Sequence, residues 1–390
     1  MDTKNAPQMP PTKVSWFELF YDLVIVAAIA HGGHLIVSDL LITNSLTFSL
    51  GLWLAATFII TFTLWFSTSM AINIAPGVIP LRKTMMFGQM LAVTVANLAL
   101  SREDGLPDDW GFAALAISFA TVSIIYAIIG HHRPELAGVT RPWRWCTAAA
   151  AILFALGVAL PNPWITVQLV VLALGLLTAV IPILVVAIPR LCRSGHLEPE
   201  HFAERVGQLV IIVIGESFLG LVGTLGGLDS IPGPTFFVLT FLVAGSMWTI
   251  YFTSVFPLGV PLTSGRLELW LGGVMLFLVG SSYMAEILAA YAAVDWSSLS
   301  VSHTFIPLSA LYALLGALLL GWLGGQKRDR AFARIHIIAL AVLGVVWLAL
   351  VLAGSLGNWL LLASSIIVIA DGLACYASGR RSGEMASRGL

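Results

Sequence analysis

The sequence predicts an all-α protein, a polytopic bundle of membrane-spanning helices. Of its 390 residues, 58% are hydrophobic and 10% are charged, and the mean hydropathy is +0.95. A soluble domain would carry about a quarter of charged residues. Apolar runs of roughly 18 residues or more recur along the chain, and each is long enough to cross a bilayer. We expect no cleavable signal peptide, because the polar N-terminus leads directly into a charged helix.

Turn-like breaks divide the chain into twelve predicted spans. The segments "SREDGLPDDW" and "PNP" separate the third from the fourth and the fifth from the sixth. In the second half, "GGLDSIPGP" separates the seventh from the eighth, and "SLGN" precedes the last. Clusters of Gly, Pro, Asp and Asn are typical of turns. The predicted spans are 16–38, 46–70, 83–100, 110–130, 144–160, 164–188, 205–225, 234–255, 267–292, 303–324, 334–354 and 358–377.

The basic residues predict how the spans are oriented. With twelve spans, both termini and every loop that follows an even-numbered span share one face. Of the 19 Lys and Arg residues, all except Arg102 fall on that face. Because Lys and Arg concentrate in cytoplasmic loops, this face is predicted to be cytoplasmic.

A second copy of the opening stretch indicates an internal duplication. At a constant offset, Glu18 lies over Glu204, "FTLWFSTS" (62–69) over "WTIYFTSV" (248–255), and "IIYAIIG" over "LLYALLG". The sequence thus predicts a 6+6 parallel repeat, as in some transporters, with chance similarity between apolar segments as the alternative. The predicted units are a cytoplasmic tail 1–15, a first repeat 16–188, a cytoplasmic linker 189–204, a second repeat 205–377 and a cytoplasmic tail 378–390.

The first span carries four ionisable groups in "ELFYDLVIVAAIAHGGHL". Glu18 and Asp22 are four residues apart and share a face near the cytoplasmic end. His31 and His34 lie roughly 14–24 Å further along the axis and point away from the carboxylates. Ionisable groups inside spans usually mark pathways or proton relays. Glu18 also has a structural interpretation, because Ser15 three residues earlier gives the spacing of a capping box.

The second half adds further ionisable groups. Glu204 repeats the inner acid and, with Glu18, is a candidate for a polar pair or gate at the cytoplasmic end; an interfacial ion pair with Arg205 is the alternative. Glu216 lies roughly 18 Å into the seventh span and is the first candidate for a proton-carrying or cation-coordinating group. Glu286 lies toward the outer end of the ninth span, and His303 opens the tenth at the outer side. Together with the histidines of the first span, we expect these groups to line an outward-facing cavity.

The remaining chemistry-bearing residues give weaker signals. The three cysteines, Cys146, Cys192 and Cys375, show no pairing or metal-ligand spacing, so we expect them to be reduced and structural. No phosphate-binding loop or nucleophile elbow is visible, and neither a catalytic residue nor a cofactor is predicted. The histidines leave the question of a metal open, because nothing fixes a third ligand.

Aromatic pairs end the second and eighth predicted spans on the cytoplasmic side. They are Trp65 with Phe66 and Tyr251 with Phe252. Aromatic residues in such places are typical of interfacial anchors. An aromatic gate at an inner opening is the alternative.

The chain resembles the bacterial low-temperature-requirement A (LtrA) membrane protein family. The resemblance rests on "FELFYDLVIVAAIAHGGHL" and "HFAERVGQLVIIVIGESFLGL", with support from "WTIYF" (248–252) and "HTFIPLSALYALLGALLL" (303–320). It implies a multi-pass protein of the bacterial inner membrane, named from growth at low temperature and poorly defined in activity. The polar residues that the resemblance singles out are Glu18, Asp22, His34, Glu204, Glu216 and His303. The segment "AAIAHGG" departs from the family pattern around His31.

The leading hypothesis for function is a secondary transporter or permease, with proton coupling left open. It rests on twelve spans, a duplication and ionisable groups at several depths. The alternative is an integral-membrane enzyme acting on lipid or isoprenoid substrates, in which His31, His34, His303 and Glu216 converge for acid–base chemistry. A receptor or assembly factor is a third. Expected partners are membrane lipids and a small molecule or ion, not nucleic acid; the sequence leaves a homodimer open.

Overall fold

The computed structural model describes residues 14–43, 48–78, 81–100, 109–159, 165–225, 234–293, 305–323, 330–353 and 358–387. Within these ranges the chain is helical and contains no strand, so the all-α prediction is confirmed. Helices suit an apolar solvent because they satisfy their backbone hydrogen bonds internally.

Thirteen α-helices follow one another along the described chain. They are α1 (Trp16–Thr43), α2 (Phe48–Ile74), α3 (Arg82–Leu100), α4 (Asp109–His132), α5 (Ala137–Val158), α6 (Ile165–Pro182), α7 (Ile188–Ser194), α8 (Pro199–Leu225), α9 (Pro234–Ile250), α10 (Arg266–Ala293), α11 (Phe305–Leu323), α12 (Arg330–Leu352) and α13 (Asn358–Ser387). A π-helical turn, Ile183–Ala187, joins α6 to α7, and another, Tyr251–Val255, extends α9.

Eight helical segments in the described ranges are long and apolar enough to cross a membrane. They are Ala56–Ile74, Asp109–His132, Val167–Ser194, Pro199–Gly223, Pro234–Leu258, Arg266–Ala289, Phe332–Leu352 and Trp359–Gly379. The protein is therefore a multi-pass helical membrane protein. The count of twelve spans and the 6+6 repeat remain predictions.

Two boundaries differ from the sequence-based prediction for a local reason. The fifth span was expected to begin at 144, after Pro142, but α5 begins at Ala137. Proline lacks the N–H that would bond to the carbonyl of Gly138. Arg190 of α7 satisfies that carbonyl instead, with Nη1 3.0 Å from the oxygen. The sixth span also runs further than 188, because α7 continues until Gly195 ends it in a left-handed conformation, with φ +70°.

Helices α1, α8 and α10 contact one another at the centre of the bundle, and α2 packs beside them. The Ala56–Ile74 part of α2 is almost entirely buried. At the periphery, α12 and the α6–α7 segment expose most of their apolar side chains, including Val185, Val345 and Leu348. This pattern fits lipid around the outer helices and polar chemistry at the centre.

Glycines allow α10 and α11 to cross in backbone contact. A Cβ on Gly280 would lie 2.3 Å from the Ala313 nitrogen, and one on Gly316 would lie 2.4 Å from the Phe277 nitrogen. Side chains at these two positions would separate the helices. Close crossing at small residues is typical of helix pairs in membranes.

Candidate functional site

The two distinctive sequence stretches meet where α1 and α8 begin. Glu18 of α1 contacts His201 of α8, and Asp22 of α1 contacts Arg205 of α8. From the first pair to the second, the contact moves four residues, about one helical turn, along α1 and along α8. The two helices therefore run parallel, in contact along matching faces.

Glu18 is at once a helix cap and a member of an ionic network. The backbone N–H of Ser15 donates to Glu18 Oε2 at 3.0 Å, and the backbone N–H of Glu18 donates to Ser15 Oγ at 3.3 Å. The predicted capping box is thus confirmed. The carboxylate, 3% exposed, also lies 3.6 Å from Arg82 Nη1 and 3.6 Å from His201 Nε2. It ties the starts of α1, α3 and α8 together.

Asn73, near the end of α2, fixes how His201 is oriented. Asn73 Oδ1 accepts from the backbone N–H of Glu198 at 2.9 Å, and Nδ2 donates to the Glu198 carbonyl at 2.9 Å. Nδ2 also lies 3.3 Å from His201 Nδ1. Because an amide nitrogen only donates, His201 Nδ1 accepts, and its proton lies on Nε2, toward Glu18.

One turn deeper, Asp22 and Arg205 form an ion pair in which both side chains are fully buried. Asp22 Oδ1 accepts from Arg205 Nη2 and from the indole Nε1 of Trp65, the latter at 2.7 Å. The Arg205 guanidinium lies 6.0 Å from the centre of the Trp65 ring. Removing one partner of such a pair leaves an uncompensated buried charge, at a cost of about 3–5 kcal/mol.

Several polar atoms around this pair have unused hydrogen-bonding capacity. Gln89 Oε1 accepts from Tyr21 at 3.1 Å and from Thr68 at 2.9 Å. Among the described residues, no partner is found for Gln89 Nε2, Asp22 Oδ2, or Arg205 Nε and Nη1. Buried polar groups are normally satisfied, so these atoms indicate a place for water or for a polar group of a ligand.

Aromatic rings surround the ion pair. Phe202 lies 6.3 Å from Trp65, 6.0 Å from Phe66 and 6.1 Å from Trp270, measured between ring centres. Trp65 and Phe66 are buried, as is Tyr251 in the second predicted pair. The interpretation as interfacial anchors is wrong for Trp65, Phe66 and Tyr251, because these rings pack inside the protein, whereas Phe252 is partly buried. The gate alternative remains a prediction.

A cavity of about 900 Å³ opens beside the first turns of α8 and α10. Its walls include the apolar side chains of Phe256, Leu258 and Val260. Glu204 and Arg266 also line it, and Glu204 is exposed. The cavity thus lies at the same end of the bundle as the ion pairs, on another side of α8.

The structure brings two of the predicted outer acids together. Glu286 of α10 is buried, and a Cβ on Gly220 of α8 would lie only 2.8 Å from Glu286 Oε1. Glu216 lies one turn before Gly220 on α8 and is partly exposed. Residues four apart on a helix share a face, so Glu216 projects from the side of α8 that Glu286 contacts at Gly220. From Arg205, Glu216 is 11 residues further along α8 (216 − 205), or about 16 Å.

The remaining predicted site residues are either outside the described part of the structure or placed apart from one another. His31 and His34 lie in α1, but their side chains are outside the described part, and His303 is outside the described residues altogether. Glu204 lines the cavity, whereas Glu18 is buried in the ionic network. Arg205, which had been weighed as a partner for Glu204, pairs with Asp22 instead.

Sequence reasoning missed part of the inner network. Arg82, His201 and Asn73 were not among the predicted site residues. The only local signal was the spacing of His201 and Arg205, which places both on one face of α8.

The long apolar helices, with buried ionic pairs where they meet, define an integral membrane protein with a polar interior. The chain belongs to the bacterial low temperature requirement A (LtrA) family, whose sequence model matches residues 13–370.

Comparison with curated proteins and solved structures adds little about activity. An uncharacterised protein of Rhizobium meliloti (strain 1021) is 25% identical over 251 residues. The match covers 62% of this chain and 58% of that protein, so the chain spans somewhat more than half the length of this relative. No solved structure matches.

Proposed function

We propose that the protein is a secondary transporter or permease of the bacterial inner membrane. The observation that carries this proposal is the pair of polar layers along α8. The inner layer holds Asp22 and Arg205, and the outer layer holds Glu216 and Glu286. Buried ionisable groups are costly in a membrane and usually line a path for ions or substrate. Two such layers on one helix are what a permeation path requires.

Apolar side chains separate the two layers. The buried apolar side chains of α8 between them are Val206, Leu209, Val210, Val213 and Ile214, and the partly buried Gln208 is a polar residue in the same stretch. We interpret the inner layer as a closed gate, in which ion pairs and the aromatic rings of Trp65 and Phe202 hold α1 against α8. Opening would separate Asp22 from Arg205, and the unused donors of Arg205 would hold an incoming water or polar substrate group.

The outer carboxylates supply the proposed coupling. Carboxylates inside membrane spans usually mark proton relays or ion pathways, and carboxylate oxygens also coordinate cations. Glu286 lies against the α8 backbone at Gly220. A proton gained or lost there changes the contact between α8 and α10 directly. Energy would come from an ion gradient.

Helix packing supports the proposed duplication. Suppose that α1–α6 and α8–α13 are equivalent. The contact of α1 with α3 should then recur between α8 and α10. The contact of α2 with α6 should likewise recur between α9 and α13. Both equivalents are present. The correspondence is incomplete, since α2 contacts α4 and α11 contacts α13 without a matching strong pair. Twelve spans in two parallel sets, with both termini cytoplasmic, remain part of the proposal.

The enzyme alternative stays a prediction. It needs His31, His34, His303 and Glu216 to converge within hydrogen-bonding reach, and of these only Glu216 has a described side chain. No contact in the described part of the chain favours it over transport.

Flux measurements test the transport proposal. The protein would be reconstituted into liposomes containing a trapped pH-sensitive dye, and inorganic and organic cations would be added one at a time. We expect a cation-dependent change in internal pH with the wild type, and loss of that change in Glu286→Gln and Glu216→Gln. Glu135→Gln is the matched control, because its carboxylate is exposed in the short turn between α4 and α5 and takes no part in either layer. Equal flux in all three variants would contradict the assignment of the outer carboxylates.

A further inference from the structure

A second buried polar cluster lies between the end of α9, α12 and α13, and the proposed transport path does not use it. It contains His336 of α12 with Asp371 and Cys375 of α13, which are 0%, 3% and 0% exposed. One potential ligand atom from each residue lies within 4.8 Å of the others. Imidazole nitrogen, carboxylate oxygen and thiolate sulfur are the donor types that Zn²⁺ takes in proteins.

Hydrogen bonds fix the orientation of the histidine in this cluster. His336 Nδ1 lies 2.8 Å from Asp371 Oδ2. An ionised carboxylate only accepts, so Nδ1 donates and the lone pair is on Nε2. Nε2 lies 3.5 Å from Ser254 Oγ, but the Ser254 hydroxyl donates its proton to the Ile250 carbonyl. The lone pair on Nε2 is therefore available to a metal ion.

The backbone brings these groups together by specific local features. Ser254 lies in the π-helical turn Tyr251–Val255, and such turns occur frequently at functional sites. Gly372 allows α13 to approach α9, because a Cβ there would lie 2.8 Å from Ser246 Cβ. Asp371 and Cys375 are four residues apart, so they project from one face of α13.

Asp371 has an oxygen that this arrangement leaves unused. In the described part of the chain, Oδ1 has no hydrogen-bond partner, although the side chain is buried. Burying a carboxylate costs free energy unless a hydrogen-bond donor or a cation compensates it. A divalent cation bound to the imidazole lone pair and the thiolate would balance the carboxylate charge through the His336–Asp371 hydrogen bond.

We propose that His336, Cys375 and Asp371 bind a divalent transition metal of the Zn²⁺ class. His336 Nε2 and the Cys375 thiolate are direct ligands, and Asp371 orients His336 through the hydrogen bond to Nδ1. Tetrahedral ligation with bonds of about 2.0–2.3 Å places ligand atoms roughly 3.5 Å apart. The potential ligand atoms lie within 4.8 Å of one another, so binding requires the Cys375 side chain to move toward His336. The cation holds α12, α13 and the end of α9 together.

A hydrolytic Ser–His–Asp arrangement does not explain the cluster. The Ser254 hydroxyl donates to the Ile250 backbone carbonyl rather than to His336. Ser254, like His336, is fully buried. A nucleophile must reach a substrate and give its proton to the base, and neither condition is met. Metal binding requires only that an ion be enclosed when the helices assemble.

Metal content and cobalt spectroscopy test the proposal. The full chain would be produced in cells grown with added Zn²⁺, so that the ion is present when the helices assemble, then purified in detergent, desalted and assayed for retained metal by mass spectrometry. A parallel culture would receive Co²⁺, whose bond to a thiolate absorbs in the near ultraviolet. We expect one Zn²⁺ per chain and the thiolate–Co²⁺ band in the wild type. His336→Gln should lose both, and Asp371→Asn should bind about 10- to 100-fold more weakly.

The other two cysteines provide a control that does not depend on the folding of a cluster variant. In the double variant Cys146→Ser/Cys192→Ser, Cys375 is the only thiol left among the three cysteines of the chain. We expect this variant to retain Zn²⁺ and the Co²⁺ band, whereas Cys375→Ser loses the band. The proposal is overturned if the wild type retains no Zn²⁺ after desalting. It is equally overturned if the band disappears in the double variant.

Discussion

The Asp22–Arg205 pair gives the sharpest test of how the inner layer is built. Both side chains are fully buried, and Asp22 is the described partner of the Arg205 guanidinium. The variant Asp22→Asn leaves the arginine charge buried beside a neutral amide. We expect the free energy of unfolding to fall by about 3–5 kcal/mol. Arg205→Met leaves the carboxylate without its cation and should cost a similar amount.

The double variant Asp22→Asn/Arg205→Met separates the ion pair from other effects of the substitutions. It removes both charges together, so neither is left uncompensated. We therefore expect it to lose clearly less than the sum of the two single variants, with a coupling energy of about 2 kcal/mol within the usual range for contacting residues.

Unfolding in mixed detergent micelles, followed by tryptophan fluorescence, measures these free energies for all four proteins. Glu204→Gln is the control, because a substitution at an exposed position usually changes stability by less than about 0.5 kcal/mol. Strict additivity in the double variant would refute the reasoning, since it would mean that the two charges do not interact.

Three further substitutions follow from other contacts. Trp65→Phe keeps the ring but removes the hydrogen bond to Asp22, and should lower the free energy of unfolding by about 1.5–3 kcal/mol in the same assay. Gly280→Val forces α10 away from α11, so the variant should not elute as a single folded species in size-exclusion chromatography. Arg190→Gln removes the donor to the Gly138 carbonyl, but both residues are exposed and water can replace it, so the loss should be below about 1 kcal/mol.

Each of these substitutions has a matched control. Trp145 is exposed, so Trp145→Phe should leave the unfolding free energy nearly unchanged. A Cβ on Gly272 would meet no heavy atom within 4 Å, so Gly272→Ala should elute normally. Arg193 bonds only within its own helix and is exposed, so Arg193→Gln should have little effect. A Gly280→Val protein that elutes like the wild type would contradict the close crossing.

Local patterns predicted the helices well and the site only in part. The capping box at Ser15 and Glu18 is a short-range feature, and the structure reproduces it. The start of α5 was predicted seven residues too late, at 144 rather than at Ala137. The helix continues through Pro142, and the Gly138 carbonyl, which the proline cannot bond, accepts from Arg190 of α7.

Long-range pairs could not be predicted by spacing. Asp22 was expected to matter, but its partner is 183 residues away. Glu204 was considered as the partner of Arg205 because the two are adjacent in sequence. Successive residues of a helix point about 100° apart, however, so adjacent side chains do not face each other. The cluster at His336 was missed for a related reason. Its members come from separate helices, and only the four-residue spacing of Asp371 and Cys375 was visible in the sequence.

The separation of Asp22 from Arg205 has a consequence for how the chain is made. Ribosomes add about 5–20 residues per second, so the 183 residues between the two groups take roughly 10–35 s to synthesise. During that time the carboxylates of α1 have no arginine from α8 to pair with. We therefore expect α1 to stay at the translocation machinery, or its carboxylates to be protonated, until α8 is made. A nascent chain stopped before α8 is therefore expected to be a substrate for membrane quality-control proteases.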